Sequence, residues 1–351
     1  MRQTLTYDDI QLVPQYSEIE SRSSINLKTR LTKNFNLMTP YVASPMDTVC
    51  EMDMAMKMYE LGGVGVIHRF MSVEEQARQI KGLQKFLYEQ KHDSLYSIWG
   101  EEKKPIIAAV GVNGDYIQRA AQVVDAGANV LLIDVAHGHH KMVKDTIRLL
   151  KEETGVDIIA GNVATGFATK DLIEWGADGI RVGIGGGSLC TTRIQTGHGV
   201  PNVTSIMECV EVAQQYDIPV MADGGIRTSG DIAKAIGLGA DNVMLGSMLA
   251  GTQETPGSII EKNGQLYKRY RGSASLETKT THGQQQRNVE GESTVIPFKG
   301  GVKFIINGLN DGLRSALSYT GANSIEEFQR KADFVQITHA GQIEAKPHKL
   351  L

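Results

Sequence analysis

Apolar residues recur along the chain in short, continuous runs, and each run is followed by a cluster of glycine and polar residues. Eight such runs occur, at 40–44, 63–68, 105–111, 129–138, 157–164, 179–187, 218–225 and 242–248. Continuous rather than alternating apolar runs are typical of parallel strands that are covered on both faces. The pattern therefore predicts eight parallel β-strands.

The segments between the runs have the spacing of amphipathic helices. Residues 115–128 place five apolar side chains on one predicted face: Ile117, Ala120, Ala121, Val124 and Ala128. A second helix is predicted at 229–240, with Ser229 as its N-cap, and a third at 302–319. Strands that alternate with helices predict the α/β class and a (β/α)8 barrel. A doubly wound open sheet is the alternative, but no G-x-G-x-x-G fingerprint follows the first run.

Two segments extend this minimal barrel. Residues 1–39 precede the first run, and we expect them to cover the bottom of the barrel or to contact a neighbouring subunit. A long polar insertion, 249–300, follows the eighth run, and we expect a binding flap within residues 252–300, because long loops at this end of a barrel carry function. Nothing resembles an interdomain linker, so residues 1–351 are predicted to form a single catalytic domain.

Composition excludes several classes of protein. No stretch of about 18 apolar residues is present, so no membrane span is predicted, and the N-terminus lacks the apolar core of a secretory signal. The net charge is −4 without a long basic run, which argues against nucleic-acid binding. The three cysteines are too few for a disulfide framework, so the chain is expected in the reducing cytoplasm.

Glycine-rich turns follow the last two runs, ADGG at 222–225 and LGSM at 245–248. Barrel active sites form at the carboxyl ends of the strands, and phosphate often binds after the seventh and eighth. Backbone N–H groups at such turns, next to helix N-termini, make an anion site. These turns are therefore predicted to bind phosphate, with tight strand-to-helix turns as the simpler interpretation.

The loop GIGGGSLCTTR (183–193) follows the sixth run and contains a cysteine, Cys190, at the predicted catalytic end. A thiolate is a strong nucleophile when nearby positive charge or a helix dipole activates it. Cys190 is thus the candidate nucleophile, and Ser188 a candidate phosphate ligand, although a lone cysteine is more often a small apolar core residue. Cys50 and Cys209 lie in helix-like segments and are assigned to packing. We expect them to react more slowly than Cys190 with thiol reagents.

Polar residues also follow the fourth run, LLIDVAHGHH (131–140). Asp134 can accept hydrogen bonds from a ribose or a nicotinamide amide, or act as a base. The nearby His137, His139 and His140 lack a helical i,i+4 pair and a partner carboxylate, so a metal site is not predicted there.

Seven motifs together resemble the IMP dehydrogenase/GMP reductase family, over residues 5 to 348. They are LTYDDIQLVP (5–14), SPMDTVCE (44–51), GGVGVIHRFMS (62–72), GIGGGSLCTTR (183–193), ADGGIRTSGDIAKAI (222–236), VMLGSMLAG (243–251) and YKRYRGSASL (267–276). The resemblance implies a barrel, usually a homotetramer, that binds a purine nucleoside monophosphate. Cys190 would attack C2 of the purine, and hydride would move between C2 and a nicotinamide, which leaves a covalent thioimidate.

The resemblance also implies roles for particular residues. The implied catalytic residues are Cys190, Thr192 and Arg287. The implied nucleotide-binding residues are Ser44, Met46, Ser188, Asp223, Gly224, Gly225, Gly246, Ser247, Tyr270, Gly272 and Glu290. The implied nicotinamide-binding residues are Asp134, Gly183, Ile184 and Gly185. A potassium site is implied at Gly185, Gly187 and Cys190, and Glu344 lies in the segment (340–348) that would complete it from a neighbouring subunit.

The two branches of the family differ in chemistry. An IMP dehydrogenase converts IMP, NAD and water to XMP, whereas a GMP reductase converts GMP and NADPH to IMP and ammonia. The segments 222–236 and 340–348 look more like bacterial dehydrogenases, which is the preferred interpretation. The flap, however, has no Arg-Tyr pair, and Arg287 is the only arginine in its core.

GMP reductase therefore stays as the alternative, and an inactive nucleotide-binding paralogue as a second one. The paralogue is considered because Arg69 and Gly186 stand where the family usually has lysine and proline. Only residues 86–104 stand where most dehydrogenases insert a pair of cystathionine-β-synthase-type domains, so that pair is absent from this sequence.

Overall fold

Eight parallel strands close into a barrel in the computed structural model, which describes residues 1–89, 93–281 and 289–346. The strands are β1 (Tyr41–Ala43), β2 (Val64–Ile67), β3 (Ile107–Val110), β4 (Val130–Asp134), β5 (Asp157–Val163), β6 (Gly179–Val182), β7 (Val220–Asp223) and β8 (Asn242–Leu245). They pair in chain order, and β8 closes against β1. Each lies within one of the predicted apolar runs. The predicted (β/α)8 barrel is confirmed, and the open sheet is wrong.

The strands are mostly apolar because both of their faces are covered. Val42 in β1, Leu131 in β4 and Ile159 in β5 are all fully buried. Inward side chains fill the barrel, while outward ones pack beneath the surrounding helices, so neither set meets water.

Helices follow the strands around the barrel. They are Met52–Tyr59, Val73–Gln84, Tyr116–Asp125, Lys141–Thr154, Gly166–Trp175, Asn202–Ala213, Ser229–Gly237 and Val302–Tyr319. Shorter helical segments are Tyr7–Asp9, Arg22–Ser24, Lys85–Glu89, Asp93–Trp99, Thr192–Thr196, Gln214–Tyr216, Leu276–Thr281, Ile325–Lys331 and His339–Glu344. In the described residues, no helix has both the length and the apolar content to cross a membrane.

Two local predictions about these helices were wrong. The N-cap of Ser229–Gly237 is Thr228, whose hydroxyl accepts a hydrogen bond from the Asp231 N–H (3.2 Å). In Tyr116–Asp125, Ile117 is 49% exposed, and the buried face is centred on Arg119 and Ala120. Arg119 can lie inward because its guanidinium is paired with Asp115 and donates to Gln76 Oε1 (2.9 Å), so a charged residue takes a place on the buried face.

Part of the segment before β1 covers the N-terminal end of the barrel, which is one of the two expected placements, whereas residues 5–8 contact the segments that follow β6 and β7. It contains a short hairpin, Thr29–Arg30 with Asn36–Leu37. The Thr32 hydroxyl donates to Asp157 Oδ2 (2.5 Å) at the start of β5. Earlier in the chain, Ile10–Leu12 pairs with Phe334–Gln336, so both chain ends meet at one side of the barrel.

The insertion after β8 has secondary structure of its own. The strands Ile260–Lys262, Gln265–Arg271 and Ser293–Pro297 form an antiparallel sheet, and the helix Leu276–Thr281 lies between the last two. This sheet returns the chain to the open end of the barrel, where residues 289–292 meet the loop after β6.

Candidate active site

A cavity of about 440 Å³ opens at the carboxyl ends of the strands, a size typical of small-molecule sites. It gathers most of the predicted site residues, which come from five strand ends and the flap. Those that line it are Ser44, Met46, Asp134, Gly183, Ile184, Gly185, Gly187, Ser188, Cys190, Thr192, Asp223, Gly224, Gly225, Gly246, Ser247, Tyr270, Gly272 and Glu290.

Cys190 lies just before the short helix Thr192–Thr196 and is partly exposed to the cavity. Its thiol donates a hydrogen bond to Thr192 Oγ1 (3.2 Å), and the Thr192 hydroxyl donates to Glu290 Oε2 (2.6 Å). A continuous hydrogen-bonded chain therefore joins the sulfur to a carboxylate. Such a chain can carry a proton away from the thiol, or from a molecule that reacts beside it.

Backbone hydrogen bonds bring Glu290 to this position from a remote part of the sequence. The Thr191 N–H donates to Glu290 O (3.0 Å), and the Glu292 N–H donates to Leu189 O (3.0 Å). The end of the flap thus pairs with the cysteine loop like a short strand. The acidic partner of Cys190 depends on this pairing.

The other two cysteines are fully buried. Burial raises the pKa of the Cys50 thiol, and it raises the pKa of Cys209 to about 12. Their assignment to packing is confirmed, although Cys50 precedes the helix Met52–Tyr59 rather than lying in it.

The glycine turn after β7 needs glycine for its backbone. Gly224 and Gly225 have φ values of 90° and 73°, which side chains with a Cβ rarely adopt. Next to this turn, Ser188 Oγ and Tyr270 Oη lie 3.1 Å apart. Burial raises the pKa of Tyr270, so its hydroxyl stays protonated and can donate. Freed backbone N–H groups and two hydroxyls are suitable donors for a phosphate group.

The structure also explains why residue 186 is a glycine. A Cβ at Gly186 would lie 2.5 Å from Asn202 Oδ1. The Asn202 amide in turn donates to the carbonyl of Gly224 in the neighbouring turn. The space that a side chain at position 186 would occupy is therefore filled by Asn202.

A buried arginine, Arg181 in β6, links the two predicted binding carboxylates. Its Nε donates to Asp223 Oδ2 (3.0 Å), and its Nη1 donates to Asp134 Oδ1 (2.8 Å). Although burial opposes its charge, the carboxylates of Asp223 and Asp134 keep the pKa of Arg181 above its ordinary value. Asn162 Nδ2 also donates to Asp223 Oδ2 (2.7 Å), and Arg69 Nη2 donates to Asp134 O (3.2 Å).

Sequence reasoning missed Arg181 and Asn162. Both lie inside barrel strands, β6 and β5, and inward positions alternate along a barrel strand. A charged or amide residue within a fully apolar run was the signal that could have identified them, because such residues are buried only with partners.

One predicted residue, Glu344, is not brought to the cavity, and the position of another is not described. Arg287 lies outside the described residues. Glu344 is exposed at the end of the helix His339–Glu344. Just before this helix, the Ile337 N–H donates to Asp9 O (2.8 Å). Of the residues expected to bind potassium, Gly185, Gly187 and Cys190 line the cavity. Their completion by Glu344 stays a prediction.

The three histidines after β4 have separate surroundings. His139 Nε2 lies 2.7 Å from Asp171 Oδ2, and His140 caps the helix Lys141–Thr154. His137 is exposed, and its pKa is lowered by desolvation and by repulsion from neighbouring histidines. Among the residues described, no group of three or more His, Cys, Asp or Glu side chains could hold a metal ion.

Comparison with known proteins identifies relatives that all carry the name IMP dehydrogenase or GMP reductase. The profile described as IMP dehydrogenase / GMP reductase domain matches residues 4–348. The inosine-5'-monophosphate dehydrogenase of Cryptosporidium parvum is 40% identical over 98% of this chain and 94% of its own length. The GMP reductase of Leishmania major is 34% identical over 99% of this chain and 97% of its own length.

A solved structure is similar over the whole chain. It is a cysteine-to-alanine variant of GMP reductase from Trypanosoma brucei in complex with guanosine 5'-monophosphate, with a TM-score of 0.90 and 34% identity. The similarity covers 100% of this chain and 99% of that one. Relatives named as IMP dehydrogenases and relatives named as GMP reductases thus both match over nearly the whole chain.

Proposed function

Because the chain belongs to the IMP dehydrogenase/GMP reductase family of oxidoreductases, we propose that it acts on a purine nucleotide through Cys190, with a nicotinamide cofactor. Of the two reactions in this family, we propose that of IMP dehydrogenase, in which IMP, NAD and water give XMP and NADH. The observation that carries chemistry at Cys190 is the hydrogen-bonded chain through Thr192 to Glu290 inside the cavity. The choice of the dehydrogenase rests on the resemblance of segments 222–236 and 340–348 to bacterial dehydrogenases.

The nucleotide would bind across the carboxyl ends of β6, β7, β8 and β1. The carboxylate of Asp223 can accept hydrogen bonds from the ribose hydroxyls, since only its Oδ2 is engaged by Arg181 and Asn162 in the described contacts. The N–H groups of the glycine turns and the hydroxyls of Ser188 and Tyr270 suit the phosphate. Ser44 and Met46 would lie beside the base, next to Cys190.

The reaction at C2 then uses groups that are already in contact. The Cys190 proton passes through Thr192 to Glu290 and on to N3 of the purine, and the sulfur adds to C2. C2 then gives up its hydride, with the electron pair, to the nicotinamide when that is bound, which leaves a protonated thioimidate on Cys190. Water adds to C2 and loses one proton to the Thr192–Glu290 pair, which releases it to solvent. The carbon–sulfur bond breaks as C2=O forms, the sulfur regains the proton of the hydroxyl, and XMP is released.

Asp134, Gly183, Ile184 and Gly185 would hold the cofactor, whose nicotinamide accepts the hydride when it is bound. They fit this role because they line the same cavity as Cys190 and offer a carboxylate and a glycine-rich backbone to a carboxamide. Binding of potassium, assembly as a homotetramer and a cytoplasmic location are parts of the same proposal.

GMP reductase is the second candidate, because the flap sequence lacks an Arg-Tyr pair. In that reaction the Thr192–Glu290 pair would give a proton to the departing ammonia, and NADPH would supply the hydride that reduces the same thioimidate. A purely nucleotide-binding paralogue is less well supported, because the thiol, hydroxyl and carboxylate are connected as catalysis requires.

Nicotinamide absorbance in two parallel assays tests the proposal. We expect IMP with NAD to produce reduced cofactor, and Cys190→Ala to abolish turnover while nucleotide still binds. Consumption of NADPH with GMP, with release of ammonia and no reaction of IMP with NAD, would establish the reductase. Binding without turnover in either assay would establish the paralogue.

A further inference from the structure

We propose that Arg181 couples the binding of the nucleotide to the binding of the nicotinamide cofactor, as a positioning residue shared by the two sites. The inference rests on the proposed function, because that function assigns Asp223 to the ribose and Asp134 to the nicotinamide. It concerns how the two sites communicate, which the reaction itself does not require.

One rigid group holds both carboxylates. Arg181 extends from the middle of β6, and its guanidinium lies between β4, which ends in Asp134, and β7, which ends in Asp223. Arg181 is 7% exposed, so little water is available to replace either carboxylate. The guanidinium is planar and its N–H groups have fixed directions, so movement at one carboxylate reorients the donor that serves the other.

Two other polar side chains near Arg181 each contact only one of the two aspartates. Over residues 1–89, 93–281 and 289–346, Arg69 hydrogen bonds to Asp134 and not to Asp223, and Asn162 hydrogen bonds to Asp223 and not to Asp134. Arg181 is the residue that joins them. Arg69 therefore offers a matched control, because it is a second arginine beside Asp134, hydrogen bonded to its backbone carbonyl and 3.6 Å from its carboxylate, without the link to Asp223.

Each ligand should strengthen the binding of the other, because the first ligand to bind fixes the orientation of side chains that the second one contacts. A ribose bound to Asp223 fixes that carboxylate, and the fixed carboxylate holds Arg181 in one orientation. Arg181 then presents Asp134 in one orientation to the cofactor, so the second ligand loses less conformational freedom on binding. The nucleotide should tighten the cofactor, and by thermodynamic reciprocity the cofactor should tighten the nucleotide by the same factor.

The test measures binding in a background without turnover. Calorimetric titration of the Cys190→Ala chain with NAD, in the presence and absence of saturating IMP, gives the coupling as the ratio of the two affinities. We expect IMP to tighten NAD binding by about fivefold or more, the lower end of typical allosteric couplings. In Cys190→Ala with Arg181→Lys, which keeps the charge and loses the fork, we expect the ratio to fall at least about twofold below that of the parent, because only the direct contact of the purine with the nicotinamide then couples the two ligands.

Two controls isolate the link. Arg69→Met in the same background should weaken NAD with and without IMP alike, which leaves the ratio unchanged. ADP-ribose lacks the nicotinamide that Asp134 would contact, so any effect of IMP on its affinity should not depend on Arg181. Arg181→Met, if it folds by circular dichroism, should lower the ratio as Arg181→Lys does.

The outcomes separate this inference from the proposed function. If the parent chain binds both IMP and NAD, and Arg181→Lys leaves the ratio intact, the coupling role is overturned and the proposed function stands. An unchanged NAD affinity on addition of IMP to the parent has the same consequence. If the parent binds neither IMP nor GMP, the proposed function fails, and this inference fails with it.

Discussion

Replacing Asp47 with asparagine should loosen the flap (residues 252–300) from the barrel. The Asp47 carboxylate is 4% exposed and accepts hydrogen bonds from Arg271 Nη2 (2.6 Å) and Nε (3.1 Å). Arg271, at the end of the flap strand Gln265–Arg271, in turn contacts Glu277 (3.1 Å) and Thr281 (3.2 Å) in the flap helix Leu276–Thr281. The pair is therefore a buried connection between the loop after β1 and the flap, beside the hydrogen bonds of the Thr48 hydroxyl with the Arg271 backbone.

The expected size of the effect follows from burial. Removing one partner of a buried ion pair costs about 3–5 kcal/mol, and we take about 3 kcal/mol because Glu277 remains as a second partner of Arg271. Since each 1.4 kcal/mol is about tenfold in an equilibrium constant, the locally open flap should become roughly 100-fold more populated. Hydrogen exchange of the backbone amides in Leu276–Thr281, followed by mass spectrometry, measures that population.

Arg269→Met is the matched control, because Arg269 pairs with the same Glu277 but its side chain is 54% exposed. An exposed pair contributes at most about 1 kcal/mol, so exchange should rise by less than about fivefold. Equal acceleration in the two variants, or none in Asp47→Asn, would refute the argument that burial of this pair fastens the flap.

Three further outcomes are expected. A thiol reagent should modify Cys190 well before Cys209, whose pKa burial raises to about 12, and peptide mass spectrometry showing equal rates would contradict this. Thr192→Val interrupts the chain from the thiol to the carboxylate and should lower kcat by about 100-fold or more, with a smaller change in KM; unchanged kcat would remove the relay from the mechanism. The His68 hydrogen bond lowers the pKa of Glu51. Ionised Glu51 therefore stabilises the fold at pH values above 4.5, its ordinary pKa, and this contribution is lost as the pH falls through the lowered pKa. Glu51→Gln should flatten the acid limb of thermal stability, and parallel limbs would count against the assignment.

The fold could be predicted from the sequence because its signals are local. Each barrel strand is a short run that is apolar on both faces, and the glycine turns that follow the runs mark the end at which the site forms. Cys190 and the turn at 222–225 were identified in this way, and the cavity contains both. The prediction failed where a buried polar residue displaced the apolar pattern, as Arg119 did in the helix Tyr116–Asp125.

The connections within the site were decided by the tertiary structure. Glu290 reaches Thr192 across 98 positions of sequence, and Arg181 reaches Asp134 across 47. Such contacts depend on strand register and on the path of the flap, neither of which leaves a pattern in neighbouring residues. The sequence by itself determined the barrel, the end at which the cavity opens and the position of the candidate nucleophile, because apolar periodicity and backbone freedom act over a few residues. Only the closed barrel decided which charges meet, because burial forces each buried charge to take the partner that the fold places beside it.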